Sequence, residues 1–249
     1  MKEISQELID QLRISEKVVV LTGAGISKES GIPTFREAQT GLWASYDPKE
    51  LATPEAFQRN PELVWEWYEW RRALIAHSQP NNGHKALMIM EKCVPDFLLI
   101  TQNVDGMHQR AGNMKVIELH GNIHRNICYS EGIVIDQYKD SDENLPRCPR
   151  CGDYIRPDVV WFGEQMPEEE LGKAYEAVKS ADFFFSIGTS GIVQPAAALP
   201  YVALEAGAII VEMNTEETGL TKSADYFIQG MAGKILPRLV KITWNEVIP

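Results

Sequence analysis

The chain has 249 residues, with 24 Lys and Arg against 35 Asp and Glu, a formal net charge of −11 and 44% hydrophobic residues. This is the composition of an ordinary globular protein, long enough for one large domain or for a domain carrying a smaller inserted module. The acidic balance, with no basic block, argues against sequence-independent nucleic-acid binding, and no apolar run approaches the ~20 residues that span a bilayer. An acidic surface suits basic protein segments as substrates, and it suits plain solubility equally.

The N-terminal MKEISQELIDQL reads as an acidic-polar helix start rather than a secretory signal, so a cytoplasmic address is expected. The first predicted strand is the run Val18-Val19-Val20, continued through Leu21 and Thr22 into Gly23-Ala24-Gly25. A buried strand feeding a glycine turn is a standard seat for a pyrophosphate. Glycine lets the backbone approach the phosphates, and N–H groups at the following helix start can donate to anionic oxygens. The dinucleotide fingerprint wants a third glycine at position 28, where the chain has Lys28; the next is Gly31, ahead of Pro33-Thr34-Phe35-Arg36. Taken alone, the two glycines leave nucleotide binding and a plain tight turn both open.

From Thr34 to about Pro80 the chain is turn-rich and then helical. Asn60 can cap the helix, Pro61 suits its first turn and Glu62 complements its dipole. Leu63, Trp67, Trp70 and Leu74 form a stripe at helical spacing, read as a core face. Further strands are predicted over residues 97–101, 116–119, 183–187 and 208–213, with helices over 166–180 and 194–206. The alternation predicts an α/β fold, a Rossmann-like parallel sheet with ligands at the carboxyl ends of its strands. Polar punctuation falls at those ends, in residues 23–25, 102–105, 120–121, 188–190 and 214–216. The remaining segments are expected to form a small domain of residues 34–81 and 122–156, a helical module plus a zinc-ribbon-like one. The dinucleotide-binding domain then takes residues 1–33, 82–121 and 157–249.

Cys148-Pro149-Arg150-Cys151-Gly152 is a zinc-knuckle half, two thiolates on a tight turn, and Cys128 lies 20 residues upstream. The position that would complete the second half holds Glu131, whose carboxylate oxygen is a possible fourth ligand. A structural Cys3Glu zinc site, a degenerate site without metal and a redox dithiol stay open, although the last lacks the strand–helix context such motifs use. Cys93 reads as a packing residue.

Several segments together resemble the sirtuins. They are GAGIS at 23–27, GIPTFR at 31–36, TQNVD at 101–105, ELHG at 118–121, VVWFGE at 159–164, GTS at 188–190 and the late Asn214. They occur in order over nearly the whole chain. The resemblance implies an NAD-dependent protein lysine deacylase that consumes NAD as a co-substrate, carries a structural zinc and acts on acylated lysine in proteins. It further implies a monomer, and the composition adds the expectation that neither nucleic acid nor membrane is a direct partner.

On the cofactor it places Gly23, Ala24, Gly25, Ile26, Thr34, Phe35, Arg36, Trp43, Gln102, Asn103, Val104 and Asp105, with Phe35 shielding the reacting ribose and Arg36 steadying the phosphates. The adenosine side falls to Gly188, Thr189, Ser190, Asn214, Thr215, Glu216 and Ala232. His120 becomes the general base that takes a proton from a ribose hydroxyl, with Asn103 and Asp105 catalytic beside it; the alternative for His120 is a strand cap. Val160, Trp161, Phe162, Gly163 and Val193 line the lysine channel, where an extended peptide can pair with main chain. The products are free lysine, nicotinamide and 2'-O-acyl-ADP-ribose. Mono-ADP-ribosyl transfer, NAD glycohydrolysis and a non-catalytic NAD-binding role compete, and the intact 159–164 segment with His120 speaks against them.

Tyr68 and Arg71 lie three apart on the helix beginning at Pro61 and so share one face, offset from the tryptophan stripe. A guanidinium can bind a carboxylate through two parallel hydrogen bonds, and a phenol can add another. The pair resembles the Tyr-x-x-Arg signature of the sirtuin subgroup that removes succinyl and malonyl groups, which implies deacetylation with acidic acyl groups preferred. The alternative is a surface ion pair of Arg71 with Glu66 or Glu69.

Overall fold

The computed structural model describes residues 4–34, 37, 43, 45–138 and 145–248. Strands β1 (Lys17–Thr22), β2 (Asp96–Thr101) and β3 (Val116–Glu118) precede an inserted pair, β4 (Gly121–Cys128) and β5 (Ile155–Val159). Strands β6 (Phe183–Ile187), β7 (Ile209–Asn214) and β8 (Tyr226–Gln229) follow. Six of them form one sheet in the order β3-β2-β1-β6-β7-β8, with every pairing parallel. The helices are α1 (Gln6–Ile14), α2 (Gly25–Lys28), α3 (Pro48–Leu51), α4 (Pro54–Arg59), α5 (Pro61–His77), α6 (Asn82–Cys93), α7 (Met107–Ala111), α8 (Glu168–Val178), α9 (Leu199–Glu205) and α10 (Ala232–Trp244).

The unbroken apolar run of β1 is explained by burial on both faces, the rule for parallel strands covered by helices. Val18 and Val20 join a core with Leu8 and Leu12 of α1, Leu87 of α6 and Leu236 of α10. Val19 and Leu21 face the other side, against Val178 of α8 and Leu199 of α9. Each such side chain contributes roughly 1.5–3 kcal/mol on burial. The strand order reverses between β1 and β6, which opens a crevice at their carboxyl ends.

The helical insertion differs from its predicted pattern. Asn60 caps α5 as expected, its Oδ1 accepting from the Leu63 amide at 3.2 Å. The buried residues, however, are Val64, Trp65, Trp67, Tyr68 and Ile75, while Leu63 and Trp70 are only partly covered. The helix is gripped from two sides, so its buried arc is wider than one stripe. Trp67 and Tyr68 pack with Phe57, Ile123 and Trp161, whereas Trp65 packs with Cys128, Cys148 and Ile155. Tyr68 and Arg71 therefore lie on the covered arc. No helix among the described residues is long and apolar enough to cross a membrane.

Candidate active site and metal centre

At the crevice the loops after β1 and β6 interlock. The Gly23 amide donates to the Ile187 carbonyl at 3.0 Å, Gly25 to Gly188 at 2.8 Å and Ile26 back to Gly23 at 3.2 Å. A Cβ on Gly25 would sit 2.7 Å from the Gly188 oxygen, and one on Gly188, at φ +59°, 2.7 Å from the Ile26 nitrogen. These glycines serve backbone-to-backbone packing, and their amides are committed inside the protein rather than offered to an anion. The absent third glycine also has a reason. Its usual task is close helix–strand packing, and α2 stops after one turn. Lys28 instead reaches outward to Glu37 at 2.5 Å, and Glu37 accepts the Thr34 amide at 2.7 Å. Phe35 and Arg36 lie outside the described residues; Trp43 is buried against Tyr46 and Trp70.

The end of β2 supplies the next group. Both amide hydrogens of Asn103 are committed, to the Gly23 carbonyl at 3.1 Å and the Ser27 hydroxyl at 3.2 Å. Asp105 accepts the Met107 amide at 2.9 Å, and the Val104 carbonyl accepts from Ile123 at 2.9 Å. Burial raises the Asp105 carboxyl above its ordinary value, against the pull of Met107, Ser27 and Arg71. Gln102 donates to the Thr189 hydroxyl at 3.0 Å, and Asn214 donates to the Thr189 carbonyl at 2.9 Å. Thr189 thus ties the two halves of the crevice together. Ser190, Thr215 and Glu216 are exposed at its rim, and Ala232 is buried at the start of α10.

His120 stands between β2 and β5. Its carbonyl accepts the Val160 amide at 3.0 Å, and its Nδ1 lies 2.9 Å from the Gln102 carbonyl. A carbonyl only accepts, so Nδ1 carries the proton and Nε2 the lone pair. Burial lowers the imidazole's pKa, partly offset by that hydrogen bond, so the ring is neutral at pH 7.

Behind these residues is a polar chain that the sequence reading passed over. Thr22 donates to Thr101 at 2.9 Å and meets His108 Nε2 at 2.9 Å, and Ser27 meets His84 Nε2 at 3.4 Å. The rings of His84 and His108 pack edge to face at 4.9 Å. Burial pushes His84 down to about 4 and His108 well below its ordinary value. A legible signal existed for His84 alone: Asn81 and His84 form a capping box at the start of α6.

Against α5, the Trp161 indole N–H donates to the Tyr68 hydroxyl oxygen at 2.9 Å, both side chains being buried. The Arg71 guanidinium lies 5.1 Å from the Trp67 ring centroid. Burial raises Tyr68 to about 12, against the nearby Arg71 charge. Glu69 pairs with Arg72, at 2.5 Å. Of the predicted channel residues Trp161 is buried, Val160 is half-buried, and Phe162, Gly163 and Val193 are exposed.

Cys128, Glu131, Cys148 and Cys151 bring their ligand atoms within 4.8 Å of one another. Two matching turns do this. The Gly132 amide donates to the Cys128 carbonyl and the Gly152 amide to the Cys148 carbonyl, each at 2.9 Å. Both glycines have positive φ, +66° and +79°. Three thiols and one carboxylate at this spacing fit a tetrahedral zinc ion.

The family model for the Sir2 family matches residues 23–195. The chain is 56% identical over 223 residues to the NAD-dependent protein deacylase of Aquifex aeolicus, covering 89% of this chain and 93% of that protein. A solved Sir2 homologue–NAD complex has a TM-score of 0.91 and 43% identity, covering 98% of this chain and 95% of that one. A Sir2 structure bound to acetylated peptide has a TM-score of 0.85 and 30% identity, covering 96% and 98%. The chain belongs to the Sir2 family.

Proposed function

We propose that this chain is an NAD-dependent protein lysine deacylase that transfers the acyl group to ADP-ribose and prefers acidic acyl groups to acetyl. The observation that carries the reading is His120: a neutral imidazole whose Nδ1 is held by the carbonyl of Gln102, the residue before Asn103, so that the lone pair is on Nε2. The name of the Aquifex relative and the NAD and acetylated-peptide complexes of the solved relatives support it.

NAD would lie across the crevice, with Gly23, Ala24, Gly25, Ile26, Thr34, Phe35, Arg36, Trp43, Gln102 and Val104 on one side. Gly188, Thr189, Ser190, Asn214, Thr215, Glu216 and Ala232 would hold the other. Bound there, it supplies a cleavable nicotinamide–ribose bond and the hydroxyls that receive the acyl group. Asn103, with both amide hydrogens committed to Gly23 and Ser27, and Asp105 would hold the nicotinamide end. His120 takes a ribose hydroxyl proton at Nε2. Val160, Phe162, Gly163 and Val193 receive the lysine and its peptide, with Trp161 beneath them, while Tyr68 and Arg71 meet the acyl carboxylate. Cys128, Cys148, Cys151 and Glu131 hold zinc in the small domain of residues 34–81 and 122–156, and the enzyme acts as a cytoplasmic monomer.

The test is mass spectrometry of the products after incubation with NAD and an acylated peptide. Acyl-ADP-ribose with free lysine is expected. ADP-ribosylated protein, or ADP-ribose without deacylation, would point instead to transferase or glycohydrolase chemistry, and no turnover would overturn enzymatic function altogether.

A further inference from the structure

We infer that Trp161 is a positioning residue for acyl selectivity: its indole N–H fixes the direction in which Tyr68 presents its hydroxyl hydrogen to an acidic acyl group. The inference rests on the reading of Tyr68 and Arg71 as the acyl site. A phenol has one hydrogen to donate and two acceptor directions. With Trp161 donating into one of the two at 2.9 Å, the Tyr68 hydrogen is left for a second partner, and its rotation about the C–O bond is restricted.

The indole is itself immobilised. The Arg156 guanidinium lies 3.9 Å over its ring, and Arg156 is held by Glu164 at 2.8 Å. Glu164 also accepts the Trp161 amide at 2.8 Å, which closes the arrangement from the backbone side. Phe57 tilts against the same ring at 5.3 Å. Trp161 is 1% exposed and Tyr68 2%, so water does not compete for the hydroxyl. Burial holds Tyr68 near 12, so the phenol stays protonated and remains a donor over the whole working range. A carboxylate brought to it meets a hydrogen already aimed and a guanidinium already charged, which is preorganisation by a buried neighbour of the phenol. An acetyl group has no carboxylate to receive that hydrogen and gains nothing from its direction.

The experiment compares kcat/KM on matched succinyl- and acetyl-lysine peptides for wild type, Arg71→Met, Tyr68→Phe, Trp161→Phe and the Tyr68→Phe/Trp161→Phe double variant. Losing one aimed hydrogen bond should lower the succinyl-over-acetyl ratio of Trp161→Phe by about tenfold, with the change in KM rather than kcat. In the Tyr68→Phe background the same substitution should leave that ratio within about twofold. A full additive loss in the double variant, or an equal loss on both peptides, overturns the role. Should Trp161→Phe not fold, Tyr68→Phe alone decides: if it keeps the succinyl preference while Arg71→Met abolishes it, nothing remains for Trp161 to position. If wild type shows no succinyl preference and Arg71→Met changes nothing, the acyl-site reading has failed, and this inference with it.

Discussion

The Gln102 carbonyl oxygen lies 2.9 Å from Nδ1 of His120, and this single contact decides which imidazole nitrogen is basic. The proton on Nδ1 is fixed by its acceptor, so only Nε2 can take another. Burial lowers the pKa from its ordinary value near 6.5. As pH falls, activity should be lost only when the folded imidazole protonates, so the acid limb of kcat/KM lies below pH 6.5. Replacing His120 by Ala should cost about 10²–10⁴ in deacylation while leaving NAD affinity within a few-fold. An acid limb above pH 6.5, or an unaffected His120→Ala enzyme, would sink the assignment.

Two alanine substitutions, one in the interlocked loops and one on an exposed helix, should act in opposite directions. At Gly25 a methyl group meets the Gly188 carbonyl at 2.7 Å, backbone against backbone, with no flexible side chain to give way. Gly25→Ala should cost about 2 kcal/mol, in the range for forced backbone shifts, and should weaken NAD binding as well. Gly172 lies on an exposed turn of α8 with nothing within 4 Å of its would-be Cβ. Gly172→Ala should stabilise by about 0.5–1 kcal/mol through helix propensity. Urea unfolding of both variants checks the pair, and a stabilised Gly25→Ala would contradict the packing account.

Much of this was legible in the sequence where one physical cause dominated. The β1 run and the strand-end residues at 102–105, 120–121 and 188–190 could be read because a parallel sheet buried on both faces leaves long apolar runs and puts polar groups at its ends. Strand β8, only Tyr226–Gln229, was too short to stand out. Strand β4 was hidden because Asn122, His124, Arg125 and Asn126 give it a polar reading, and its register with β5 shifts between Asn122 and Asn126. The α5 stripe was misplaced because one-sided periodicity cannot show that a second core, the one around Cys128 and Cys148, covers Trp65. Only the fold shows His108 buried beside His84, since residues 24 apart in the chain carry no local sign of meeting.

The cysteine cluster predicts a metal dependence of folding. A tetrahedral Cys3Glu site stabilises the folded chain by its binding free energy, because the unfolded chain has no such site. Purified protein should carry about one zinc per chain, and prolonged chelation should lower Tm. Cys148→Ser should release the metal outright. Glu131→Gln keeps shape but loses the anionic oxygen, and should weaken retention against a chelator without abolishing it. If Glu131→Gln holds zinc as tightly as wild type, the carboxylate is not a ligand; its contact with Arg150, at 3.6 Å, would then be its role.

The buried histidine pair makes a different prediction, for stability rather than turnover. Thr22 donates its hydroxyl hydrogen to Thr101 and so accepts from His108 Nε2, which leaves the unprotonated His108 Nδ1 buried with no hydrogen-bond partner among the described residues. His84 Nδ1 accepts the Asn81 amide at 3.2 Å, so that ring too is held neutral. Folded His84 protonates only near 4, and His108 well below its ordinary value, whereas both protonate near 6.5 in the unfolded chain. Below 6.5 the unfolded state therefore binds more protons, and stability must fall as pH falls. Each histidine contributes a slope of about 1.4 kcal/mol per pH unit once the unfolded form is protonated. Urea titrations at pH 7, 6 and 5 should show the decline, and His84→Gln or His108→Gln, though less stable at pH 7, should each flatten it by about one proton's worth. Equal slopes in wild type and both variants would mean that the pair is charged, or already hydrated, in the folded protein.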